Sequence, residues 1–236
     1  MSKQGDSAFS RPRLRPLATL AAAGAASVTG SHAAIVFINA GNTLIADANT
    51  TDGAYFSFPL DLNSDGTTDI QLWHRQDSTQ NNAAVLVAPP GGSVGVVGSV
   101  RSGLLYPSRI PAGALIDASA AFLNLTLPAG TATIGWLAEE GGFAGSQWIT
   151  APNNTGYAGI QFRIGTNVHY GWLRMTVNSN TATRARAITL HEYAYETTPG
   201  EGIITGQLPV PEPSGLGLLA LGSLGLASMR QRKKTP

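Results

Sequence analysis

The residues best placed to do chemistry are Asp61-Leu62-Asn63-Ser64-Asp65-Gly66-Thr67-Thr68-Asp69. Side-chain oxygens recur on alternate residues, and the sixth position is a glycine, which reaches turn conformations that other residues avoid. A hard cation such as Ca2+ gathers about six to eight oxygens at roughly 2.3–2.6 Å. The side chains of Asp61, Asn63, Asp65 and Asp69 and the carbonyl of Thr67 are the candidate ligands, with Ca2+ as a structural cofactor. The same residue types also suit a turn that holds no ion, because short Asp and Asn side chains accept hydrogen bonds from their own backbone. Both outcomes fit the spacing. If an ion does bind, its removal should loosen the turn rather than stop a reaction, since binding to the folded state alone stabilises that state by mass action.

The alternation resembles the opening half of an EF-hand calcium loop, with one departure. The twelfth position, where an EF-hand carries a bidentate Glu, is Leu72. Strand-like sequence flanks the loop, so it is more similar to the Asp-x-Asn-x-Asp-Gly-x-x-Asp loops found between strands of many extracellular bacterial proteins.

Patterns that would signal catalysis are weaker. Gly91-Gly92-Ser93-Val94-Gly95 has the Gly-x-Ser-x-Gly form of a nucleophile elbow. That form works only at a sharp strand-to-helix turn, and Pro89-Pro90 before it points to a flexible loop. His74, His169 and His191 have no partner at a metal-ligand spacing. Glu139 and Glu140 are adjacent, and adjacent residues on a strand face opposite ways. A glycosidase instead needs two carboxyl groups facing one substrate about 5–10 Å apart. No catalytic residue is assigned, and the chain is read as a non-enzyme, with a secreted glycan-active hydrolase as the alternative. Sugar binding is the other chemistry that the residue types allow, because Trp and Tyr join an apolar ring to a hydrogen-bonding edge. Trp148, beside Gly145-Ser146-Gln147, is the candidate exposed platform for carbohydrate; Trp172 reads as core.

The elements that must position these residues have a period of two. Tyr55-Phe56-Ser57-Phe58, Asp69-Ile70-Gln71-Leu72-Trp73, residues 159–164, 170–177 and 187–193 alternate apolar with polar residues. Residues 83–87, 95–97, 121–127 and 133–137 are further strand candidates. Turn chemistry separates them at 48–53, 89–92, 139–142 and 152–156. The pattern predicts an all-β domain, an antiparallel β-sandwich of jelly-roll type, with an irregular middle around 76–113 and an exit into a linker at 197–209. The expected boundaries are 1–33, a signal peptide; 34–208, a single β-sandwich ectodomain; and 209–236, a sorting signal with a transmembrane-like segment. Helices are expected in both flanking segments.

The termini carry export chemistry. Arg11, Arg13 and Arg15 precede an apolar run at 17–30, and Ser31-His32-Ala33 offers small residues for a signal peptidase. At the other end, Val210-Pro211-Glu212-Pro213-Ser214 precedes an uncharged stretch of 16 residues at 214–229, followed by Arg230, Arg232, Lys233 and Lys234. A full span needs roughly 20 residues, so the stretch suits a temporary anchor. The cations after it would stay on the cytoplasmic face. The chain holds no cysteine, in keeping with a protein that crosses an oxidising compartment without disulfides.

These signals also distort the charge. The full chain is +1, yet residues 34–213 hold 7 Arg, no Lys and 13 acids, so this part carries 7 − 13 = −6. A Lys-free acidic domain lacks the clustered cations that phosphate backbones require, which argues against nucleic-acid partners.

The order of Val-Pro-Glu-Pro-Ser, apolar run and basic end resembles the sorting signal of PEP-CTERM proteins. Residues 167–174, Asn-Val-His-Tyr-Gly-Trp-Leu-Arg, and the later Tyr-Ala-Tyr-Glu-Thr-Thr-Pro also look like the last strands of a β-rich ectodomain common in that family. The resemblance implies export, processing by signal peptidase and by exosortase, transient inner-membrane anchoring, and a final place at the cell surface or in the extracellular polysaccharide matrix. It brings no catalytic residues with it.

Overall fold

Alternating sequence makes strands because successive side chains of extended backbone face opposite sides, so one face can be buried while the other stays polar. The computed structural model describes residues 34–46, 55–75, 83–90, 92–126, 134–139, 146–149, 154–178 and 187–209. Among them are β1 (Ile35–Ile45), β2 (Tyr55–Leu60), β3 (Ile70–Arg75), β4 (Ala83–Val87), β5 (Ser93–Arg101), β6 (Leu104–Pro107) and β7 (Leu115–Ile116). They continue with β8 (Phe122–Thr126), β9 (Gly135–Glu139), β10 (Thr155–Ile164), β11 (Asn167–Val177), β12 (Ile188–Glu196) and β13 (Ile203–Ile204). The described residues contain no helix, and so none that could cross a membrane.

Eleven strands form one sheet in the order β1-β12-β11-β10-β5-β6-β9-β4-β3-β2, with β8 paired to β5 off that path. It curls until β1 approaches β3, nearly closing on itself. The long strand β5 makes the corner. Its first half pairs with β8 and β10, and its second half, from Gly98 to Arg101, pairs with β6. Gly98 sits where the pairing changes, and a Cβ there would overlap the Tyr106 carbonyl and the Leu123 side chain. Only a residue without a side chain lets the backbones approach this closely.

Two cores follow from the alternation. The interior of the curled sheet holds Leu60, Ile70, Leu72, Leu86, Val96, Ile160, Phe162, Leu173 and Leu190, all buried. The outer face of β10 to β12 is covered as well: Trp172, Tyr170 and Ala194 pack there under Ile110, Ile116 and Ile203. Trp172 is thus core, held edge-on by Tyr157 at 5.2 Å between ring centroids, while its neighbour Leu173 points into the interior.

The all-β expectation holds, and the details differ in three ways. The strands follow one continuous path rather than two separate antiparallel sheets, and β6 meets β9 in parallel, so the sheet is mixed. Within the middle expected to be irregular, the candidates at 83–87 and 95–97 are strands β4 and β5, but β5 runs on to Arg101 and turns at Ser102-Gly103 into β6, which had not been expected, because this short apolar run pairs back on β5. The supposed exit at 197–209 includes β13, which pairs with β7. The two flanking segments in which helices were expected, 1–33 and 210–236, lie outside the described residues.

Candidate functional site

The 61–69 loop joins β2 to β3. Leu60 and Leu62 are buried and pin its start to the interior core, and the Asp69 N–H donates to the Leu60 carbonyl at 2.9 Å, closing its end. Between these pins the backbone turns through left-handed conformations at Ser64 (φ 60°) and Gly66 (φ 86°). Nothing crowds the Gly66 position, so glycine serves the dihedral there rather than space.

The carboxylates hold this turn together. Asp61 accepts the N–H groups of Asp65 at 3.2 Å and Gly66 at 2.8 Å. Asn63 accepts the Asp65 N–H at 3.1 Å and donates to the Asp65 carboxylate at 2.9 Å. Asp65 accepts the Thr67 N–H at 2.7 Å, and Asp69 accepts the Leu62 N–H at 2.7 Å. The loop is therefore a run of Asx turns. Of the five candidate metal residues, Asp61, Asn63, Asp65 and Asp69 meet in this hydrogen-bond network, while Thr67 enters it through its N–H. Among the described residues no three His, Cys, Asp or Glu side chains are gathered to hold a metal ion. As it stands, the donor set matches the ion-free turn.

The electrostatics of the loop are uneven. The Asn63 side chain, and then the Thr67 N–H, keep Asp65 below the usual carboxylate range. Burial pushes Asp69 up to about 6, and the negative charges of Asp65 and Asp61 add to that rise. Tyr193 and Tyr195, which border the interior, are also raised by burial and then by these carboxylates. The loop is thus a focus of negative charge above the core.

Beside it lies a cleft of about 400 Å3 lined by Thr67, Thr68, Asp69, Pro89, Ser93 and Arg163. Three hydroxyl residues, an aspartate and an arginine thus line it together with Gly92 and Phe162, from the 61–69 loop, the start of β5 and the end of β10. The Arg163 guanidinium donates to the Thr166 carbonyl at 2.9 Å, which steadies it at the rim. Ser93, the serine of the Gly-x-Ser-x-Gly pattern, is the first residue of β5 and lies on no strand-to-helix turn.

Other sequence candidates fall elsewhere. Trp148 does not form an exposed platform. It is fully buried, and its indole N–H donates to the Pro107 carbonyl at 2.9 Å while its backbone N–H is held by Ser146. The flanking small residues suggested a surface loop, but the segment folds inward because the Ser146 hydroxyl donates to the Leu137 carbonyl. His169 bonds the Glu196 carbonyl at 2.9 Å, and His191 bridges Thr176 at 2.8 Å and Asn42 at 2.5 Å. Burial and the Arg174 charge lower the His191 pKa. His74 is buried in β3. Glu140 and the sorting residues Val210, Pro211, Glu212, Pro213 and Ser214 lie outside the described residues. Sequence reasoning missed Arg163, since nothing local marks an arginine at the end of a strand as lining the same cleft as an aspartate far away in sequence.

Residues 209–233 match the PEP-CTERM protein-sorting motif. No curated protein and no solved structure matches the chain. The motif implies an exported protein that exosortase sorts, with a C-terminal tail of membrane-anchor type.

Proposed function

We propose that this chain delivers a noncatalytic β domain to the cell surface or extracellular matrix, where the 61–69 loop binds calcium and the adjoining cleft binds a sugar unit of a polysaccharide. The observation that carries the reading is the sorting motif at 209–233, which supports export and sorting by exosortase; the cleft beside the loop supports a recognition role. Signal peptidase removes residues 1–33, and the tail anchors the chain transiently in the inner membrane before exosortase acts.

Calcium is supported by the charge: three carboxylates sit close enough for Asp61 and Asp65 to raise the proton affinity of Asp69. A divalent cation would relieve that repulsion once the side-chain oxygens of this loop turned from their backbone donors toward it. A neutral sugar is supported by the cleft, since a carboxylate can accept from adjacent ring hydroxyls while a guanidinium and side-chain hydroxyls donate to them. An acidic sugar would meet Asp69, and a strongly basic ligand would meet Arg163.

Three measurements test the proposal. Fractionation and intact mass of the native protein, with and without exosortase, should show a processed form outside the inner membrane only when the enzyme is present. Millimolar Ca2+ should raise the melting temperature of the domain and EGTA should reverse the rise; an unchanged value removes the metal. On a glycan array, Arg163→Ala and Ser93→Ala should each lose binding that the parent chain shows, and a parent chain that binds no glycan ends the sugar reading.

A further inference from the structure

The short strands β7 and β13 and the residues beside them carry three of the large exposed apolar side chains, Leu115, Ile204 and Leu208. Thr205 stitches the segments together: its hydroxyl donates to the Pro111 carbonyl at 2.7 Å, its N–H to the Ala114 carbonyl at 2.9 Å, and its carbonyl accepts the Gly113 N–H at 2.9 Å. Below, Ile116 and Ile203 are buried against the outer face of β10 to β12. Above, the exposed residues of the ledge are Pro111, Ala112, Leu115, Ile204, Leu208 and Pro209, with no charged residue anywhere in 111–116 or 203–209. Leu115 and Ile204 are cross-strand partners and stand 59% and 43% exposed, and Leu208 is 56% exposed.

The chain length beyond the ledge says what this surface faces. From Leu208 to Ser214, where the uncharged stretch begins, there are six residue steps, which reach at most about 22 Å. Pro209, Pro211 and Pro213 fall within that spacer, and proline restricts the swing of a connection by fixing φ. With the tail in the bilayer, the domain is therefore held against the membrane with the face nearest residue 208 turned toward it. That face is the apolar ledge.

We propose that the ledge at 111–115 and 204–209 is a membrane-facing surface that rests in the lipid headgroup region while the tail anchors the chain. The inference rests on the tail-anchoring reading above. A few exposed apolar side chains bind lipid weakly by themselves, but a short tether gives them a high effective concentration at the bilayer. Cleavage of the tail removes the tether, so the same surface then lets go: the contact orients the domain before processing and does not retain it afterwards.

The test uses the full chain reconstituted in phosphatidylcholine vesicles that contain a headgroup-quencher lipid. The chain has no cysteine, so single-cysteine variants take one fluorophore each. Labels at Leu115→Cys and Ile204→Cys should be quenched several-fold more than a label at Ser57→Cys, an exposed site on edge strand β2. In an Ile204→Cys chain that also carries Leu115→Asn and Leu208→Asn, the quenching should fall toward the Ser57 level while the melting temperature stays unchanged. A label at Ala220→Cys reports whether the tail is inserted. If Ala220 is shielded and positions 115 and 204 behave like 57, the ledge does not touch lipid and the inference falls alone. If Ala220 is not shielded, the anchoring reading falls and takes the inference with it. Shielding of 115 and 204 that appears only with exosortase in the vesicles would assign the face to the enzyme and overturn the lipid assignment.

Discussion

Among the described carboxylates, Asp69 is the one whose surroundings oppose its charge. Its pKa rises from 3.8 to about 6 on folding, through burial first and then the charges of Asp65 and Asp61. A group with a raised folded pKa binds its proton more tightly when folded, so its contribution is fully present below about pH 3.8 and is lost as the pH rises through about 6. In EGTA, the domain should thus lose stability between about pH 4 and 6, as urea titrations at stepped pH would show. Asp69→Asn keeps an oxygen for the Leu62 N–H and removes the charge. It should flatten that profile and stabilise the chelated domain at pH 7.5 by about 1–2 kcal/mol, a value reduced for partial solvent screening. Trp148 tests the opposite chemistry. Trp148→Ala should cost about 3–5 kcal/mol through the cavity it leaves, and Trp148→Phe about 1 kcal/mol through the lost bond to Pro107. A surface platform would show little of either loss. The local hydrogen bonds of the 61–69 loop were legible in the sequence, because each spans only a few residues; the Trp148 bond to Pro107 was not, because it spans two elements.

At the scale of elements, the turning point is β5. One strand serves both halves of the curled sheet, and the switch depends on Gly98 having no side chain. Gly98→Ala should destabilise the domain by about 2–3 kcal/mol through backbone overlap. Gly103→Ala should cost about 1 kcal/mol, since open space surrounds Gly103 and only its φ of 79° resists the change. Denaturant midpoints of the two variants give this ordering, and equal values would show that Gly98 is not the corner. Period-two patterning exposed most of the long strands. It missed β1, whose apolar run is interrupted by Gly41 and Asn42 at left-handed φ in a register shift, and it missed β6, β7 and β13, which are too short to show a period.

For the whole molecule, charge separates residues 34–213 from the two segments that flank them. The chain is +1 overall but residues 34–213 carry −6, so processing at both ends should move the isoelectric point from above 7 to well below it. Isoelectric focusing of precursor and processed forms reads this directly, and a processed form that stays basic would mean that the cationic end is retained. An acidic surface also favours solubility outside the cell, while the uncharged ledge breaks that surface next to the end of the described chain at residue 209.

The sequence by itself determined the export route, the all-β character, the acid-rich turn and the absence of disulfides, because each depends on residue order over a few to a few tens of positions. Only the tertiary structure decided that the sheet is continuous and mixed, that Trp148 is core, that Ser93 and Arg163 meet Asp69 at one cleft, and that Leu115 lies beside Ile204 above the exit to the tail. Those facts depend on which strands pair and where the sheet curls, and pairing between distant segments is set by packing of the whole core, which no local pattern encodes.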